Sequence, residues 1–397
     1  MRESRKIAIL IKSLQGGGAE RSTVNLANAL AASGVDVDLL VIDQRGVFQE
    51  LVSPLVNVIK LPKASIAQTI WCLRRQPKDL AFLLRLLVIP SSPKPASAIP
   101  AIAKYLRKVR PGALLTALDY GNIAAVVART AAGGETRIVL GQRNQLSQGY
   151  GGRSEWRRRQ IVPTLKYFFE KADAIVSVSK GVAKDLGETL RIPDDRLYAI
   201  YNAVFNRALE QQSFEVLNHP WFSNADIPVV LAVGKLKPQK DFETLLKAFA
   251  NVRAQRKARL VILGQGPMLA DLKSLARKLN IADDVSFEGF VQNPFKFMRQ
   301  ADLFVLSSRY EGLPGVLVQA LACGCPVVST DCPSGPREIL ESEKHGMLVP
   351  VADVDAMAKA ILTQLDKTHD RSLLEQRGRF FSEEEAVENY KNVLLCP

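Results

Sequence analysis

From Asp302 to Glu338 the chain reads DLFVLSSRYEGLPGVLVQALACGCPVVSTDCPSGPRE. The residues there that could do chemistry cluster where a strand hands over to a helix. Leu303–Leu306 is an apolar run of the kind found in buried parallel strands. A polar loop with Arg309, Tyr310 and Glu311 follows, then Gly312, Leu313, Pro314, Gly315 and Val316 open a helical stretch that closes at Gly324. Proline suits the first turn of a helix and glycine the residue past its end. A helix N-terminus at the carboxyl end of a strand offers free N–H groups and the positive end of a dipole, which favour phosphate. Glu311 lies just outside that terminus, placed to accept hydrogen bonds from hydroxyls. Phosphate at the helix and hydroxyls at the carboxylate describe a nucleotide sugar.

Upstream, Val233–Lys240 reads VGKLKPQK, with a strand ending at Gly234 and Lys235 and Lys240 in the loop beyond it. Two cations and a helix dipole suffice to neutralise a diphosphate without a divalent ion, so no metal and no cofactor are expected. Lys237 reads as a solvated loop residue. Gly264-Gln265-Gly266 ends a further strand at the same sheet edge, and ligands of open α/β sheets gather beyond such edges. Near the N-terminus, Gly16, Gly17 and Gly18 join a strand to a helix. A dinucleotide fingerprint with Asp43 as the ribose acid fits poorly there, because Arg21 occupies the position of the third small residue.

The segment around Glu311 resembles the donor-site signature of glycosyltransferase family 4, retaining enzymes of GT-B fold. That signature carries two glutamates; here Glu311 is the first, and Gln319 stands at the second position, where relatives bind the ribose. An amide still accepts and donates hydrogen bonds but carries no charge, which implies altered nucleotide affinity or lost turnover. The resemblance implies two Rossmann-like domains facing across a cleft. It puts Lys235 and Lys240 on the donor diphosphate, where relatives have Arg and Lys. It puts the backbone at Phe290 and Val291 on the base, and Gly17 and Gly18 opposite the phosphate and transferred sugar. In the mechanism it implies, the acceptor attacks from the side the diphosphate leaves, and a leaving phosphate oxygen takes the acceptor proton. The protein then mainly orients reactants and stabilises charge, with Lys235, Lys240 and Glu311 as the catalytic set. Many relatives have a histidine where this chain has Gln142-Arg143-Asn144. Arg143 and Asn144 become candidates for sugar or acceptor binding, with a structural role for Arg143 as the alternative. Asp119, Tyr120 and Asn122 are further acceptor-side candidates. Gly335-Pro336-Arg337-Glu338 recurs in a subset that includes N-acetylhexosamine transferases, which implies a UDP-linked N-acetylhexosamine donor.

Positioning these residues takes two α/β domains. Short β-rich runs alternate with helical patterns. The expected strands lie in Lys6–Lys12, Asp36–Ile42, Val56–Leu61, Ala113–Leu118, Arg137–Gly141, Asp173–Ser179 and Arg196–Tyr201, then in Val229–Gly234, Arg259–Gly264, Val285–Glu288, Leu303–Leu306, Pro326–Thr330 and Met347–Val349. Residues 1–208 form the expected acceptor domain and 209–381 the donor domain. The amphipathic segment 382–397 crosses back onto the first, as the resemblance implies. Asp241 reads as the cap of a helix whose apolar residues include Phe242, Leu245, Leu246, Phe249 and Val252.

A chain of 397 residues is comfortable for two domains. Its formal net charge of +13 favours anionic partners, but no nucleic-acid motif accompanies the charge. Cys323, Cys325 and Cys332 lack the spacing of a zinc site and read as small buried thiols, in keeping with a reducing compartment. The N-terminal apolar run Ile7–Ile11 reads as a first strand and not a secretion signal, and no stretch is apolar enough to span a bilayer. Two first-domain segments are basic and greasy: Ile70–Pro90, with Trp71, Phe82, Arg74, Arg75, Lys78 and Arg85, and Arg153–Phe169, with Trp156, Tyr167, Phe168 and several arginines. Such mixtures lie in anionic membrane interfaces or form core-facing helices with a solvated basic face. The expectation is a cytoplasmic transferase, peripheral on the inner membrane, that moves a sugar to a glycan or lipid-linked acceptor in cell-surface polysaccharide or glycoconjugate assembly. The alternative is a GT-B protein that binds nucleotide or glycan with little turnover.

Overall fold

A computed structural model describes residues 6–15, 18–43, 46, 48–89, 95–151, 155–223 and 226–395. The chain forms two compact units, one of residues 1–203 with 383–397 and one of residues 204–382. The divide precedes the expected one by five residues. The reason is local: the N–H groups of Val204 and Phe205 both donate to the Phe381 carbonyl at 3.0 Å, so this stretch is stitched to the end of the second unit.

The first unit holds a seven-stranded parallel sheet in the order β3-β2-β1-β4-β5-β6-β7. Its strands are β1 (Lys6–Ser13), β2 (Asp36–Asp43), β3 (Asn57–Lys60), β4 (Ala113–Thr116), β5 (Arg137–Gln142), β6 (Ala174–Ser177) and β7 (Leu197–Ala199). The second unit holds a six-stranded parallel sheet in the order β10-β9-β8-β11-β12-β13. Those strands are β8 (Val229–Val233), β9 (Arg259–Leu263), β10 (Val285–Gly289), β11 (Leu303–Leu306), β12 (Val327–Thr330) and β13 (Met347–Val349). Each expected strand is present: the central ones are covered on both faces and read as continuous apolar runs, and the largely exposed outer strands β3 and β7 follow from the strand–helix alternation. The winding direction reverses between β1 and β4 in one sheet and between β8 and β11 in the other, and open α/β sheets bind their ligands beyond such reversals.

Each unit has its own core. In the first, two apolar layers sandwich the sheet, and one includes Val387, Tyr390, Val393 and Leu394 of the last helix, Glu383–Leu395. Arg137 Nε donates to the Val393 carbonyl at 2.9 Å and fixes that helix to β5. In the second, the helix Phe242–Arg253 buries Phe242, Leu245, Leu246, Phe249 and Val252, the periodic set read from the sequence. Asp241 is a correction. It takes a left-handed conformation (φ 48°) and its side chain caps no N–H; its carboxylate is used elsewhere.

Candidate active site

The loops after β8 and β11 meet at the reversal point of the second sheet. Ser307 Oγ donates to the Lys240 carbonyl at 2.8 Å, Arg309 N–H to the Gln239 carbonyl at 2.8 Å, and Gln239 Nε2 to the Tyr310 carbonyl at 2.8 Å. The Asp241 carboxylate completes the seam by accepting from Thr244 Oγ1 at 3.0 Å and pairing with Arg309 Nε at 3.1 Å. Within this frame Lys240 Nζ donates to Glu311 Oε1 at 2.6 Å, and Ser308 Oγ donates to the same oxygen at 2.6 Å. Glu311 is 8% exposed. A carboxylate this buried is stable only when paired and hydrogen-bonded, and here both conditions hold.

Glycines let these loops close. A Cβ on Gly264, whose φ is +145°, would lie 1.9 Å from the Gly234 oxygen, and one on Gly266 would lie 2.2 Å from the Leu236 oxygen. The backbone after β8 therefore rests directly on the backbone after β9. Lys240's aliphatic stem lies 3.4–3.6 Å from where a Cβ on Gly234 would project. On the other side, Glu311 N–H donates to the Pro333 carbonyl at 3.3 Å. A Cβ on Gly335 would come within 2.5 Å of Pro314 Cδ, so the glycine of the Gly335–Glu338 motif backs the loop before the helix.

The helix Gly315–Ala322 begins with no side-chain cap. Leu317, Val318, Ala320 and Leu321 are buried while Gly315, Val316 and Gln319 are partly open, so uncapped N–H groups and Gln319 share the accessible face. Leu313 and Pro314 are buried beneath it. Lys235 is exposed, Gly234 half-buried, Phe290 is 74% exposed and Val291 half-buried just past the end of β10. Lys237 departs from the sequence reading: it is half-buried, and burial, then Lys240, push its ammonium below the ordinary value, against Glu311 and with Lys235 adding to the push. Burial depends on which loop lies over the residue, and a lysine in a basic loop gives no sign of that.

The neighbouring cysteines are structural thiols by environment. Burial pushes Cys323 and Cys332 up to about 12 and raises Cys325 further, far from the thiolate a metal requires. Among the described residues, no cluster of His, Cys, Asp and Glu is placed to hold a metal ion.

In the first unit, a shallow crevice open to solvent lies at the β1–β4 reversal, lined by Lys12, Glu20, Thr23, Leu118 and Gly121 among others. Lys12 sits 5.6 Å from the centroid of the Tyr120 ring, and the Tyr120 hydroxyl is 3.3 Å from Ser97 Oγ. Asp119 begins the helix Asp119–Ala132 beside the crevice. Arg143 is buried and bonds Asn202, with a 3.4 Å contact to Thr23 Oγ1, and its Nε has no partner. Asn144 is exposed, and its carbonyl accepts from Gln142 Nε2 at 2.7 Å. Asn122 is wholly buried between Thr116 and the Gly141 carbonyl, which makes it a pin between β4 and β5. Gly17 lies outside the described residues; Gly18 opens the helix Gly18–Ala32 and is exposed. Lys12 and Thr23 lie in no motif, and Glu20 lies in the glycine-loop motif with no expected role there; all three line the crevice. Their only signal is position, at the end of the first strand and the start of the first helix.

Two parallel sheets of this order, each with its winding reversal and a site at the second, define a GT-B glycosyltransferase fold. The Anabaena protein HepE, solved with UDP-glucose, superposes with a TM-score of 0.76 over 99% of this chain and 100% of its own at 17% identity. Residues 16–205 match the family model described as Glycosyltransferase Family 4, and residues 215–380 match that of Glycosyl transferases group 1. The chain belongs to the family 4 glycosyltransferases. Among its relatives is an enzyme of Campylobacter jejuni, the N-acetylgalactosamine-N,N'-diacetylbacillosaminyl-diphospho-undecaprenol 4-alpha-N-acetylgalactosaminyltransferase, 27% identical over 94% of each chain. Another is the lipopolysaccharide core biosynthesis glycosyltransferase LpsE of Rhizobium meliloti, 29% identical over 63% of this chain and 72% of its own.

Proposed function

We propose that this glycosyltransferase moves an N-acetylhexosamine from a UDP-linked donor to a lipid-linked glycan, with retention and without a metal, in cell-surface glycan assembly. The observation that carries the reading is the Lys240–Glu311–Ser308 cluster beside an uncapped helix at the β8–β11 reversal. Lys235, Lys240 and the first amides of the Gly315 helix receive the diphosphate and stabilise the charge it gathers as the glycosidic bond breaks. Glu311 orients the sugar hydroxyls and faces the positive charge developing on the ring. The N–H groups and Gln319 on the open helix face hold the phosphate and ribose, with the backbone at Phe290 and Val291 against the base. The acceptor binds at the crevice of the β1–β4 reversal, near Asp119 and Tyr120, where Arg143 contacts Thr23 of the lining, with Asn144 a further candidate. The Campylobacter relative, named for a diphospho-undecaprenol acceptor and N-acetylgalactosamine, and the UDP-glucose in the HepE structure support the choice of substrates.

The acceptor's lipid places the enzyme at a membrane surface. Among the described residues no helix is long and apolar enough to cross a bilayer. The helix Ile66–Cys72 leaves Ile66, Ile70 and Trp71 exposed, Trp71 at 68%. Arg74 stacks on the Trp71 ring at 4.2 Å, and Arg75 and Lys78 follow, both exposed. This supports peripheral attachment to the cytoplasmic leaflet through anionic lipid. The second candidate segment splits: Phe168 and Phe169 are fully buried, so its later part is core, while the side chains of 155–158 lie outside the described residues. Transfer of labelled sugar from a panel of UDP-, GDP- and ADP-sugars to polyprenyl-diphosphate sugars, with and without EDTA, tests the reading. No transfer from any donor favours the binding-only alternative, and recovery in Gln319→Glu would assign the loss to the missing charge.

A further inference from the structure

The loop after β8 carries three lysines, and the least conspicuous of them is the most confined. Leu236, fully buried, donates its N–H to the Gln265 carbonyl at 2.9 Å and accepts from Met268 N–H at 3.2 Å. Gly266 packs against the same backbone. Lys237 follows directly, and its carbonyl accepts from Lys240 N–H at 3.0 Å, closing one turn between the two residues. The charged groups facing Lys237 are Lys240, Glu311 and Lys235. The Arg309–Asp241 pair lies at the end of the same turn, and the neutral Cys332 thiol borders Glu311 and Lys240. Glu311 is already engaged by Lys240 and Ser308. Lys235 and Lys237 make no ion pair or side-chain hydrogen bond among the described residues. Glu311 thus answers Lys240, and among the described residues the half-buried Lys237 is left without a counter-charge while Lys235 stands in solvent.

We propose that Lys237 is a third cation for the donor's diphosphate, joining Lys235 and Lys240 in neutralising the incoming phosphates. The proposal rests on the donor reading above and extends it to a residue that reading leaves out. A half-buried ammonium among like charges is an unfavourable arrangement unless an anion arrives. Phosphate oxygens reverse the sign of the local field and favour the charged form. Lys237's depressed ammonium adds a signature. As pH rises through its value in the free protein, the side chain loses its proton, and donor binding must then take one up. Affinity for a diphosphate consequently falls on the alkaline side.

Calorimetric titration of the whole protein with UDP at pH 7 and about pH 9.5, beside melting curves without ligand, tests this. Lys237→Met is expected to weaken UDP binding about tenfold at pH 7, with an unliganded melting temperature equal to or above the wild type's, because a repelled cation is gone. Lys237→Arg is expected to bind UDP well at both pH values and to flatten the alkaline decline, since a guanidinium stays charged. Wild-type UDP affinity in Lys237→Met overturns the inference alone, and so does a lowered unliganded melting temperature, which would make Lys237 a structural residue. A wild-type protein that binds none of UDP, GDP and ADP overturns the donor reading together with this inference.

Discussion

Lys240 and Glu311 hold one another across 2.6 Å with little exposure on either side chain. Removing one partner of such a pair strands the other, at a cost of about 3–5 kcal/mol. Lys240→Ala is therefore expected to lose sugar transfer and also to unfold at lower urea. The double variant Lys240→Met/Glu311→Gln removes both charges and should recover most of that stability while remaining inactive. Should the double variant turn over normally, the pair has no part in transfer. Gln319 is a separate case. It sits on the open face of the Gly315–Ala322 helix, so Gln319→Glu should raise UDP-donor affinity severalfold with little change in melting. An affinity that does not move would place the ribose elsewhere.

At the scale of elements, the donor site depends on loops that touch backbone to backbone. Gly264→Ala forces a Cβ to within 1.9 Å of the Gly234 oxygen at a φ that L-residues avoid. A destabilisation of at least about 2 kcal/mol is expected. UDP binding should also weaken in the fraction that remains folded, because the displaced segment carries Lys235, Lys237 and Lys240. The stretch after the helix Pro336–Ile339 is a different device. Glu341, Ser342 and Glu343 all take positive φ, and Arg377 ties the turn down by donating to the Glu338 and Ile339 carbonyls at 2.7 Å and pairing with Glu341 at 2.9 Å. Buried His345 lies against Glu341 at 3.2 Å, its Nδ1 without a partner. Burial lowers its value below the ordinary 6.5, although Glu341 opposes this; Arg377 and Lys344 add to the lowering. The unfolded chain then binds the extra proton more readily, so this contribution is intact above about pH 6.5 and is lost as pH falls below it. The urea midpoint should drop between pH 7 and pH 5 by less in His345→Gln than in the wild type.

For the whole molecule, the charge surplus of +13 and the exposed Ile66–Ile70–Trp71 stripe make one prediction together. Co-sedimentation with vesicles should require anionic lipid, weaken with salt as screening grows, and fall several-fold in Trp71→Ser without a change in melting. Binding indifferent to lipid charge would rule out the proposed attachment. The two units have separate cores, and the chain passes between them at Ala203–Val204 and again at Ser382–Glu383. The last helix is thus bound to the β1–β5 core by contacts hundreds of residues distant in sequence.

Composition and periodicity alone determined the two parallel sheets, down to thirteen strands: a central strand buried on both faces is apolar throughout, and the largely exposed outer strands β3 and β7 follow from the alternation of strands with helices. The family resemblance, with the strand–helix reading around Glu311, named Lys240 and Glu311 as parts of one expected donor site. Only the tertiary structure decided that these two pair with each other. It also showed that Asp241 serves Arg309 and Thr244 instead of capping its helix, that Asn122 is a core pin, and that Lys237 is half-buried among charges. The physical reason is common to all four. Burial and charge state are properties of the surroundings, and each of these surroundings includes a second segment, such as the β11 loop beside Lys240 and Asp241 or β5 beside Asn122, whose approach no local pattern encodes.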